Sequence, residues 1–174
     1  MACSICDIFK SCHRELSKDP SLLKPYCIEK CRKYRDKRSN AKAEERGKSI
    51  VFEGGGNEVI CYRVDGGIIA GQSNCKCDNL LLFVDDRQAV FIELKGVDIR
   101  HALEQIETAV SILGKDLTGY DFHGRIVAVS GIPDIKNDSK YKNLWKLLKR
   151  HNINATLRIR ENKQREKALD LKKR

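Results

Sequence analysis

No apolar run in this sequence approaches the roughly 20 residues needed to span a bilayer, which excludes a helical membrane span. No segment repeats, which excludes a solenoid or propeller. Met1 to Lys10 lacks the apolar stretch of a signal peptide, so an intracellular, cytoplasmic protein is expected. What remains is a chain of 174 residues, 41% hydrophobic and 33% charged. That is ordinary for a globular protein, and long enough for one domain with a small appendage.

Charge is abundant and unevenly spread. Residues 1–48 carry 13 Lys/Arg against 7 Asp/Glu, net +6. Residues 49–145 carry 10 against 14, net −4, and residues 146–174 carry 11 against 3, net +8. Basic ends around an acidic centre suit a polyanion held beside divalent cations. The plainer alternative is a set of solvated basic faces.

The chain divides into a Cys-rich segment, 1–39, expected to be helical, and a domain over 40–174. Residues 32–48 are strongly charged and read as an exposed helix or linker. Ser49–Phe52 reads as a short strand before the turn Gly54-Gly55-Gly56-Asn57, and Glu58–Val64 as another. Asp65-Gly66-Gly67 is a turn, after which Ile68–Ala70 returns. Asp78–Val84 and Ala89–Leu94 are apolar strands of the kind covered on both faces. Ile99–Leu113 spaces its apolar residues as a helix does. Arg125–Ser130 is a strand, Lys140–His151 an amphipathic helix, Ala155–Arg160 a last strand, and the remainder a charged tail. This order predicts an α/β sandwich on a mixed central sheet.

Asp78 opens one buried strand, and Glu93-Leu94-Lys95 closes the next. Antiparallel neighbours joined by a tight turn bring those two ends together, and Glu93 and Lys95, two apart, share a face. Three charges at one sheet end are costly unless they compensate each other or a cation. Paired carboxylates suit Mg²⁺ or Mn²⁺, and Lys95 is placed to orient an attacking water or stabilise developing charge. The alternative is a plain ion pair at a sheet edge.

Asp78, fourteen residues, then Glu93-Leu94-Lys95 on adjacent strands resembles the PD-(D/E)XK nuclease motif. Cys77 stands where Pro is frequent in that superfamily, which includes restriction endonucleases, Holliday-junction resolvases and RecB-like exonucleases. The resemblance covers about residues 45–130. It implies a restriction-endonuclease-like α/β/α sandwich, a Mg²⁺-dependent nuclease acting on DNA rather than RNA, a metal held by Asp78, Glu93 and the Leu94 carbonyl, and a homodimer as one option. It implies a further upstream acid, for which Glu58 is preferred over Glu44 and Glu45. Gln105 falls where RecB-like relatives carry a Gln; the Tyr expected four residues later is Ala109. His101, one turn earlier on the same face, is a candidate phosphate contact. Arg158 and Arg160, on one face of the last strand, are expected to track the nucleic-acid backbone.

Five of the eight cysteines lie within the first 31 residues. Cys3-x2-Cys6 and Cys27-x3-Cys31 pair at helical spacing, which suits a tetrahedral Zn²⁺ site. An iron–sulfur cluster, disulfides and plain thiols are the alternatives, and Cys12 spoils the count. Cys61, Cys75 and Cys77 read as buried thiols or as part of a second metal group. Two other functions stay open: a nucleic-acid-binding module without turnover, and a metal-stabilised adaptor for another protein.

Overall fold

The structure, a computed structural model, describes residues 4–5, 31–70, 76–94, 97–162 and 164–172. Its strands are β1 (Ser4–Ile5), β2 (Arg32–Glu45), β3 (Lys48–Arg63), β4 (Ile69–Ala70), β5 (Asn79–Phe83), β6 (Gln88–Leu94), β7 (Asp121–Ala128), β8 (Thr156–Glu161) and β9 (Gln164–Lys167). Two α-helices, α1 (Ile99–Leu113) and α2 (Ser139–His151), complete it with short 3-10 turns at Gly114–Asp116 and Ala168–Leu171. The main sheet runs β2-β3-β5-β6-β7-β8, and β9 adds to β3. Pairing is antiparallel from β2 to β6 and parallel from β6 to β8.

The residues of β5 and β6 are all buried, because both faces of the sheet are covered. On one face Leu80, Leu82, Phe91 and Ile126 pack against Ala102, Ile106 and Val110 of α1 and Leu144 and Leu148 of α2. Asp98 caps α1 by accepting the His101 N–H (3.0 Å), and Asp138 caps α2 at Lys140 (2.8 Å), supplying acceptors for N–H groups the helices leave over.

The other face departs from the expected α/β/α sandwich. Among the described residues, no helical layer lies on it. Leu81, Phe83, Val90 and Ile92 are covered instead by Ala41, Ala43, Ile50 and Phe52 of β2 and β3, with Ala168 and Leu171 from the C-terminal turn. The sheet thus curls into a nearly closed barrel, mostly β structure, with two α-helices outside it among the described residues.

The cause is local. Residues 32–48, expected as helix or linker, form β2 and a hairpin turn in which Arg46 and Gly47 have φ of 46° and 78°; positive φ at both central residues matches the twist of a tight hairpin. The three glycines make no turn; they bend one continuous strand. Pairing slips between Arg38 and Asn40, opposite that bend, and Gly56 has φ 58°. Glycine and a bulge are how a strand turns a barrel corner. The hairpin folds back far enough for the Tyr34 hydroxyl to donate to the Lys42 carbonyl (2.8 Å).

Three smaller expectations also change. β2 runs through the expected boundary at 39/40. Ile69–Ala70 pairs with β1 rather than returning along β3. The charged tail supplies β9, which pairs in parallel with Ile50–Glu53.

β9 is held from inside the barrel. Arg125, fully buried on β7, donates to Glu166 from Nε (2.9 Å) and Nη2 (3.0 Å). Arg158 adds a third bond to Glu166 (3.0 Å), and Arg125 also reaches the Thr156 hydroxyl (2.9 Å). His123 then bridges Thr156 and Gln88. A buried guanidinium is tolerated because its donors are met.

Candidate active site at the open end of the sheet

The expected neighbours meet. Asn79 is in register with Ile92, so Asp78 stands beside Glu93. Each carboxylate accepts a backbone N–H from the other's segment: Asp78 Oδ2 from Leu94 (2.7 Å), and Glu93 Oε2 from Asp78 (3.1 Å). Glu93 is almost fully buried, and Asp78 is half-buried. Burial pushes the Cys77 thiol well above its usual pKa, and the charges of Glu93 and Asp78 push it further. Lys95 lies outside the described residues.

Asp78 lines a cavity of about 370 Å³ with Lys33, Glu44, Glu45, Arg63 and Asp65. The rolled hairpin brings Glu44 and Glu45 here. The signal for it was the turn Arg46-Gly47 between two runs that pair, which charge had masked. Lys76, buried, contributes its ammonium to Asp65 at 3.1 Å.

Glu58, the preferred upstream acid, is not brought to Asp78. It sits at the opposite end of β5 from Asp78, five residues from Arg63, the register partner of Asn79. That is about 17 Å along the strand. Its carboxylate pairs with Arg35 (2.6 Å), and its N–H donates to Asp85 (3.0 Å). Glu58–Val64 was legible as a strand, but which end met Asp78 depended on its pairing with β5.

Gln105 is buried on α1 and donates to the Lys76 carbonyl (2.9 Å). It anchors the segment that leads into Asp78. His101 is half-buried on the same helix, with Nδ1 3.7 Å from Glu104. Arg160 is exposed, whereas Arg158 turns inward to Glu166.

Cys3, Cys6, Cys12, Cys27 and Cys75 lie outside the described residues. Cys31 is buried in the larger apolar cluster. Cys61 is buried, and desolvation raises its thiol to about 11. A thiol held protonated is a poor metal ligand. Among the described residues, no group of three or more His, Cys, Asp and Glu is placed to hold a metal ion. Asp78, Glu93 and the Leu94 carbonyl form an oxygen-only donor set, which fits a hard divalent cation in kind, with two side chains rather than three.

Comparison with known proteins finds no matching family model, curated protein or solved structure.

Proposed function

We propose that the protein hydrolyses phosphodiester bonds of nucleic acid, DNA before RNA, with a divalent cation as cofactor. The reciprocal brace between Asp78 and Glu93 carries the reading. Each carboxylate fixes the other's backbone (2.7 and 3.1 Å), so two negative charges are held together at the end of two fully buried strands. Like charges so placed oppose each other, and Asp78 of the pair lines a cavity, which marks a candidate functional site.

Asp78, Glu93 and the Leu94 carbonyl would hold Mg²⁺ or Mn²⁺. Such a cation supplies Lewis acidity toward a phosphate and toward water. Gln105 holds the approach to Asp78 in place through Lys76. Lys95, by its place in the motif, assists the attacking water. The resemblance to PD-(D/E)XK nucleases supports this through residues, since the two halves of the motif fall on neighbouring antiparallel strands.

A nucleic-acid-binding module without turnover is the second reading. It is favoured by the absence of a third acidic side chain in metal range among the described residues. Incubation of labelled DNA with the protein and Mg²⁺ or Mn²⁺ separates them. Cleavage that a chelator stops supports the first, and salt-sensitive binding without cleavage supports the second.

A further inference from the structure

The strands β6, β7 and β8 are parallel, so their carboxyl ends lie together. A second cavity, of about 250 Å³, lies at the outer of these strands. Ile132 and Ile135 of the loop after β7 line it, with Tyr141 of α2, and Lys136 and Arg160 bring positive charge, while the lining Arg158 is paired with Glu166; Asp134 is the one acid. The loop is tied down: the Ile132 N–H donates to Glu161 (3.3 Å), and Ile135 is buried.

Its place relative to the carboxylates follows from register. Glu93 pairs with Ile126 and Ile126 with Ile159, while Leu94, Val127 and Arg160 align one residue on. Ile159 and Arg160 line the cavity. Two strand spacings separate it from Glu93, about 10 Å, which a short stretch of single strand covers.

We infer that this cavity is a nucleotide subsite that takes one unstacked base against Tyr141 and the isoleucines, with its phosphate on Arg160 and Lys136, and hence that the substrate is single-stranded DNA. The inference rests on the nuclease reading for its function. A base inside a duplex is stacked and paired, and must leave the stack to reach a side-chain pocket. Aromatic and apolar contact accepts any base, and the cations track the backbone.

The test is fluorescence anisotropy on the full chain, with Ca²⁺ replacing Mg²⁺. The probes are a thymidine single strand, an abasic strand of the same length, and a duplex. The single strand should bind about fivefold or more tightly than the abasic strand. Tyr141→Leu should erase that ratio, Tyr141→Phe should keep it, and Arg160→Ala should weaken both strands alike. Equal binding of the two strands by the wild type overturns the inference, as does a ratio that survives in folded Tyr141→Leu. If Tyr141→Leu does not fold, the wild-type ratio decides alone. Base-dependent binding without cleavage in Mg²⁺ or Mn²⁺ removes the nuclease reading and leaves the subsite. Cleavage with no base dependence does the reverse.

Discussion

Glu166→Gln should destabilise the barrel more than any surface change. The substitution keeps the shape and removes one charge. In the wild type that carboxylate takes two bonds from Arg125 and one from Arg158. Arg125 is fully buried and cannot reach water. Burial draws its pKa down, with the charge of Glu166 opposing, but a guanidinium does not give up its proton in a protein. An uncompensated buried charge costs about 3–5 kcal/mol. For a domain of this size each kcal/mol lowers Tm by about 2–4 °C, so a fall of about 6–20 °C is expected. Arg125→Met should cost less, because Glu166 keeps Arg158. Arg125→Met with Glu166→Leu should recover most of the loss, since apolar replacement of a buried pair is often neutral. Urea denaturation followed through Trp145, the chain's one tryptophan, measures all three. Glu166→Gln costing under about 1 kcal/mol, or equal losses in the two single variants, would refute the reasoning.

Stability should also fall with pH. Burial holds His123 down to about 3, while the unfolded chain takes up the proton near the ordinary 6.5. The unfolded state therefore binds more protons below pH 6.5, and stability drops by about 1.4 kcal/mol per pH unit from this group; denaturation midpoints of wild type and His123→Asn between pH 7 and 5 should show a slope that the variant lacks. Gln105→Ala leaves the buried Lys76 carbonyl without that donor, at about 1–3 kcal/mol. In a cleavage assay it should lower kcat more than it raises KM, because Gln105 positions the strand of Asp78; a change confined to KM would place it on the substrate instead.

Much of the sheet centre was legible because its signals agree. Leu80–Val84 and Ala89–Leu94 are apolar runs split by Asp85-Asp86-Arg87, and Ile99–Leu113 carries helical spacing. From these the meeting of Asp78 and Glu93 follows by antiparallel geometry alone. β2 was not legible, because charge dominates Arg32–Glu45 and its inner face is marked only by buried Ala41 and Ala43 with half-buried Tyr34. With β2 hidden, the glycines read as a turn rather than a corner, and a helical layer stood in for the hairpin. The inward turn of Arg158 was hidden for a related reason. Its face alternation was correct, but which face became the interior depended on β9, and on a Glu166–Arg125 pair 41 residues apart.

The central claim is that Asp78 and Glu93 form a catalytic, cation-dependent pair. Its most direct test is cleavage of labelled single-stranded DNA by wild type, Asp78→Asn and Glu93→Gln, each checked for folding by circular dichroism and assayed across a Mg²⁺ titration. The account predicts cleavage by the wild type that rises with Mg²⁺ and stops with chelator, and none above background in either folded variant. Cleavage at the wild-type rate in either variant, or none by the wild type with Mg²⁺ or Mn²⁺, would contradict it.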